Sequence, residues 1–145
     1  ISRKLIVERK IGTQDKAPLD YKFHMFNNGS KEHWFLQINS DRESALKQNF
    51  YDEKFEFMDV AKSGLPNGEV QLPDRAMLQE MLNISRKLSA GHRYVRVDLY
   101  LIERKIYFGE LTFTPACGFG EFSDMQMSKK FGSYFQGGGL DVVPE

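Results

Sequence analysis

The chain has 145 residues, 41% of them hydrophobic and 28% charged, with 20 Lys+Arg balancing 20 Asp+Glu. That length can bury the core of one domain, and a zero net charge gives no electrostatic case for nucleic acid or an anionic membrane as partner. There is no bilayer-length apolar run, no signal peptide is expected, and the lone cysteine, Cys117, has no internal disulfide partner, so the expected setting is the reducing cytoplasm, without membrane insertion.

Period-two patterning and turn residues place the elements in chain order. Lys4–Glu8 reads as a short strand, and Gly12–Pro18 as a polar connector. Asp20–Phe26 reads as a strand. Asn27-Asn28-Gly29-Ser30 is its turn, and His33–Ile38 its hairpin partner. Asp41–Asn49 is weakly patterned, as a loop or short helix. Lys54–Met58 reads as an edge strand, and Ser63–Gln71, with Gly64, Pro66, Asn67 and Gly68, as a loop.

Met77, Leu78, Met81, Leu82, Ile84 and Leu88 recur at helical spacing, so the main helix is expected from Pro73-Asp74 to Ser89, with Gly91 as its stop. Two alternating runs follow, Val95–Ile102 and Ile106–Phe113. A loop of small residues, Thr114–Gly120, comes next. Ser123 is the expected cap of a short helix ending at Gly132, and Gly137-Gly138-Gly139 leads into a tail over 136–145 expected to be flexible. The order implies an α+β fold, an antiparallel sheet covered by one main helix.

The two alternating runs carry the strongest signal. Keeping their apolar residues on one face, with a three-residue loop at Glu103–Lys105, sets Asp98 opposite Glu110 and Arg96 opposite Thr112. Like charges directly opposite destabilise a sheet, so a facing acidic pair calls for a cation between them or a protonated carboxyl. Two readings stay open. Asp98 and Glu110 offer the hard oxygens that suit Mg²⁺, with Arg96 on the same face to neutralise a phosphoryl group. Alternatively the face is simply polar, with Arg96 bridging the acids. His24, His33 and His92 lack metal-ligand spacing and read as structural, although His24 shares the face of Asp20. Nothing in the sequence marks Cys117 as a nucleophile.

Arg96-Val97-Asp98-Leu99-Tyr100, followed by Gly109-Glu110-Leu111-Thr112-Phe113-Thr114-Pro115, resembles the C-terminal signature of ATP-grasp ligases: Arg-x-Asp, then Glu-x-Asn and a Pro three residues further on. Thr112 stands at the usual Asn position. Asp20-Tyr21-Lys22-Phe23, Asp41-Arg42 and Asn49-Phe50-Tyr51-Asp52 are similar to the TupA-like subfamily, and the resemblance runs from about Leu5 to Gly132.

The resemblance implies a carboxylate–amine ligase that works through an acyl phosphate, with ATP and Mg²⁺ as cofactors and a setting in bacterial cell-surface polymer synthesis. Its substrates would be a carboxylate and an amine. Asp98, Glu110 and Thr112 would hold the metal, and Arg96 would stabilise developing charge. Glu8, Arg9 and Ile11 match the strand along the adenine. Asp20 matches a ribose contact, Lys22 lies in phase with it, and Lys54 is a candidate phosphate lysine. On this reading residues 1–135 are the C-terminal part of an ATP-grasp domain. The N-terminal lobe would be missing, and the chain would be inactive alone. A non-catalytic nucleotide- or cation-binding module is the alternative.

Overall fold

The computed structural model describes residues 5, 7, 17–28, 31–115 and 120–135. The strand along Lys4–Glu8, the connector from Gly12, the adenine-strand residues Glu8, Arg9 and Ile11, Cys117 and the tail 136–145 therefore lie largely or wholly outside the described residues.

Four strands lead into the main helix: β1 (Asp20–Asn27), β2 (Glu32–Ser40), β3 (Lys47–Tyr51) and β4 (Phe57–Met58). Helix α1 (Arg75–Ser89) is followed by the hairpin β5 (Tyr94–Ile102) and β6 (Lys105–Thr112), then by α2 (Met125–Ser133). The six strands form one sheet in the order β4-β3-β2-β1-β5-β6, antiparallel at every pairing. β5 returns after α1 to pair with β1, so the two hairpins lie side by side. No helix among the described residues is long and apolar enough to cross a membrane.

Alternation gives the sheet two different faces. Tyr21, Phe23 and Met25 of β1, Trp34, Leu36 and Ile38 of β2, and Val95, Val97 and Leu99 of β5 point to one side. Leu78, Met81 and Leu82 of α1 close over them. Each such side chain contributes about 1.5–3 kcal/mol by leaving water. Asp74 caps α1, its carboxylate accepting from the Met77 amide at 2.9 Å, and Gly91 turns the chain beyond it at φ 82°.

The opposite face is half covered. Phe131 of α2 packs there with Phe26, Phe35 and Phe50. Two helices therefore flank the sheet, one on each face; the short helix expected up to Gly132 is present as α2 and covers the second face. The short helix is capped by Asp124, which accepts from Gln126. Ser123 does not cap it. Its hydroxyl accepts from the Ala61 amide at 3.0 Å and ties the helix to the β4–α1 loop.

Three further expectations change. Residues 41–49 end in strand β3, whose Lys-Gln-Asn start has little strand character. Tertiary contacts supply what propensity lacks: Asn49 exchanges two hydrogen bonds with the Gly68 backbone, at 2.8 and 3.0 Å. Only Phe57–Met58 of the expected edge strand pairs, because Asp52 accepts from the Lys54 and Glu56 amides and holds residues 52–56 in a turn.

The β5–β6 loop has two residues rather than three. Glu103 and Arg104 both take positive φ, 49° and 62°, and Ile102 pairs Lys105. That is the backbone of a tight hairpin turn matched to strand twist. The extra residue appears instead as a bulge at Gly109, so Ile106 rather than Tyr107 joins the apolar face, and the register recovers before Asp98. A Cβ on Gly109 would meet the Asp98 carbonyl oxygen and the Tyr100 ring at 3.0 Å.

Candidate active site

On the half-covered face, β1 and β5 run antiparallel with Asp20 opposite Tyr100, Lys22 opposite Asp98 and His24 opposite Arg96. β6 adds Glu110 opposite Asp98 and Thr112 opposite Arg96, and β2 adds Asn39 and Gln37 opposite Asp20 and Lys22. Strand phase alone thus gathers five of the residues singled out above: Asp20, Lys22, Arg96, Asp98 and Glu110, with Thr112 at their rim.

These side chains form one continuous ion-pair chain. Arg42 reaches Asp20 at 3.1 Å, and Asp20 lies 2.8 Å from Lys22. Lys22 donates to Asp98. Arg96 clamps Asp98 through two bonds of 2.7 Å, and its outer nitrogen continues to Glu110 and to Thr112, each at 3.0 Å. Thr112 donates to Glu110 at 3.1 Å. Three cations thus alternate with three carboxylates, so the chain carries no net charge.

The facing acids are therefore bridged by Arg96, as one of the two open readings anticipates. They are also unequal. The Asp98 side chain is 2% exposed and the Glu110 side chain 63%. Asp98 has both oxygens engaged by fixed cations, whereas Glu110 is free to turn toward solvent or a ligand. A bidentate guanidinium–carboxylate pair holds its geometry better than a point-charge pair. Burial pulls the Arg96 guanidinium down, but its bonds and charge attraction to Asp98 outweigh that and hold it above its ordinary range. Burial pushes the Asp20 carboxyl up against the opposing pull of Lys22, and one Asp20 oxygen has no hydrogen-bond partner.

Beside the ion chain the same face turns aromatic. His24 stacks on Phe35 with ring centres 4.2 Å apart and bonds the Tyr94 hydroxyl at 2.9 Å and Gln37 at 3.1 Å. Burial, then the nearby charges of Lys62 and Arg96, hold its imidazole well below the usual histidine range, so His24 is neutral. Burial likewise lowers the Lys62 ammonium, and Arg96 adds to the shift.

Lys54 is not part of this cluster. It sits in the turn at 52–56, where its carbonyl accepts from Arg75. Arg42, Gln37, Asn39 and Lys62 carry no sequence-level assignment. Gln37 and Asn39 did leave a trace, polar residues in phase with Phe35 on an otherwise apolar strand. Lys62 left none, because it reaches the site from a loop. Among the described residues no group of three or more His, Cys, Asp or Glu side chains is placed to hold a metal by itself. The donor set that does converge is mixed: Asp98, Glu110 and Thr112 oxygens all lie within 3.0 Å of one Arg96 nitrogen.

The sequence matches the family described as TupA-like ATPgrasp over residues 1–136. Comparison with curated proteins and with solved structures finds no match.

Proposed function

Because the chain belongs to the TupA-like ATP-grasp family, we propose that it supplies the catalytic face of an ATP- and Mg²⁺-dependent carboxylate–amine ligase. In this reaction a carboxylate oxygen attacks the γ-phosphorus of ATP and ADP leaves. An amine nitrogen then attacks the acyl phosphate, losing a proton as phosphate departs and the amide forms. The observation that carries the reading is the convergence of Asp98, Glu110 and Thr112 on the point held by the outer Arg96 nitrogen. Two carboxylates and a hydroxyl are hard oxygen donors, and Mg²⁺ commonly takes one or two carboxylates with phosphates and water completing its shell. The donors fit the ion, and Asp98, Glu110 and Thr112 would hold it. When bound, it supplies charge neutralisation on the phosphates.

The protein side chains do the rest by positioning. Asp98 is fixed from one side by Lys22 and from the other by Arg96, so it presents its oxygens without conformational search. Glu110, exposed at the edge strand, is the adjustable partner. Arg96 is the permanent positive charge beside the reacting phosphoryl group, and charge placed in advance where negative charge develops lowers the barrier. Asp20 and Arg42 hold Lys22 in place. A cytoplasmic role in bacterial surface-polymer synthesis belongs to the same proposal, supported by the family alone.

ADP release by the full-length gene product, followed with a panel of acids and amines, tests the reading. Asp98→Asn and Glu110→Gln are each expected to lower turnover by about a hundredfold or more. Unchanged turnover in both variants would refute the mechanism. One observation favours a second reading, a non-catalytic nucleotide- or cation-binding module: Thr112 stands where the family signature has Asn, and a hydroxyl is a weaker metal ligand than an amide carbonyl. Calorimetric binding of Mg·ATP with no ADP release under any acid and amine would select that alternative.

A further inference from the structure

A cavity of about 500 Å³ opens on the aromatic half of the site face, beside the ion-pair chain. Its size suits a small-molecule site. Phe26, Phe35, Phe122, Phe131, Phe135 and Tyr94 line it together with the polar groups of His24, Lys62, Thr114 and Ser128. The rings are close neighbours: Phe35 lies 4.1 Å from Phe131, and Tyr94 lies 5.3 Å from Phe135. A second cavity, of about 150 Å³, is lined by Lys22, Lys62, Arg96 and the amides of Gln37, Asn39 and Gln48. Lys62 and Pro115 belong to both walls, so the two spaces adjoin.

The charged residues described in these walls are all cationic. Among the described residues no carboxylate lines either cavity. Lys22 and Arg96 are balanced by Asp98, but among the described residues Lys62 has no carboxylate partner. Its ammonium instead lies 5.3 Å from the centre of the Phe122 ring. A ligand that complements both spaces has a flat apolar ring for the first and an anionic group for the second.

We propose that the joined cavities bind a carboxylic acid bearing an aromatic ring, with the ring among Phe35, Phe122 and Phe131 and the carboxylate paired with Lys62 beside Arg96. The assignment of this acid as the substrate rests on the ligase reading. The binding itself does not, because it needs neither ATP nor Mg²⁺. The placement would put the carboxylate next to Arg96, where phosphoryl transfer to it is proposed to occur.

Phenylacetate is the probe, titrated calorimetrically into the full chain without nucleotide, with phenylethanol as the uncharged control. Binding of the acid and at least about tenfold weaker binding of the alcohol are expected, as one charge-assisted contact is lost. Lys62→Met should remove that preference. Gly132→Leu should block binding, because Gly132 lines the larger cavity and a Cβ there meets nothing within 4 Å. Thermal unfolding of both variants checks that they remain folded, and contacts from probe ring protons to Phe rings, seen by nuclear Overhauser effects in the unmodified chain, give an independent readout. Equal binding of acid and alcohol, undiminished binding by folded Gly132→Leu, or displacement of the probe by AMP would overturn the proposal. Phenylacetate binding to the chain, with no ADP release by the full-length gene product under any acid and amine, would leave the pocket standing and sink the ligase. ADP release with acids that ignore folded Gly132→Leu would do the reverse.

Discussion

The two faces of one sheet solve opposite problems. Under α1, Phe23, Leu36, Val97 and Leu99 are fully buried in one apolar cluster with Met81, and carry no charge to satisfy. On the other face, β1 and β5 bury Asp20, Lys22, His24 and Asp98 nearly as deeply. Stability on the first face comes from area removed from water and tolerates approximate solutions. On the second, each buried charge is tolerable only while its partner stands in place. The same strands therefore carry a robust scaffold on one side and a demanding ion chain on the other. A site that must present fixed charges to a ligand gains from that rigidity.

The sharpest break in this comparison is Lys22→Met. Removing the amine leaves Asp20 and Asp98 buried without their shared cation, and a loss of about 3–5 kcal/mol is expected in urea unfolding. Leu99→Ala, on the opposite face of β5, should cost about 2–5 kcal/mol as a cavity effect, and by contrast should leave Mg·ATP binding per folded molecule unchanged. If Lys22→Met proves the milder of the two, the ion chain is held by solvent rather than by pairing.

His24 sharpens the contrast through pH. Its imidazole stays neutral in the folded state, whereas in the unfolded chain it titrates near about 6.5. Below that pH the unfolded state binds a proton that the folded state refuses, so stability falls toward acid. Above it the contribution is flat. The slope is at most about 1.4 kcal/mol per pH unit for this group. Unfolding at several pH values should show a shallower acid loss in His24→Gln than in the unmodified chain, and parallel curves would refute the assignment.

Gly109→Ala carries the smallest expected effect, about 1–2 kcal/mol, because the new methyl must displace the Asp98 carbonyl or the Tyr100 ring. Its interest lies in where the displacement goes. Asp98 is the clamped acid, so a fall in Mg·ATP affinity larger than the stability loss is expected from paired calorimetry and melting.

Much of the scaffold was legible because it obeys short-range rules. Period-two alternation placed β1, β2, β5 and β6, and helical spacing with Asp74 and Gly91 placed α1 within a residue or two. β3 and the docking of α2, whose existence the sequence did suggest, escaped those rules. β3 depends on Asn49 bonding a loop that follows it by 19 residues, and α2 on Phe131 finding Phe35 across the molecule. Only 14 residues separate Arg96 from Glu110, and one hairpin joins them, so that half of the site could be read from register. Lys22 and Asp98 are 76 residues apart, and nothing in the local pattern announces their bond.

By itself the sequence determined that Asp98 and Glu110 face one another with Arg96 in phase, since hairpin register follows from keeping apolar side chains on a single face. It did not determine how that register is reached; a two-residue turn and the Gly109 bulge replace the longer loop, with the same pairing at the acids. Only the tertiary structure decided that β5 lies against β1, which delivers Lys22 to Asp98 and Arg42, through Asp20, to the same chain of charges. Only it placed Lys62 beside Arg96 and Phe131 of α2 against Phe35. Strand order and helix docking are set by the summed burial of distant apolar faces, and no local window of residues contains that sum.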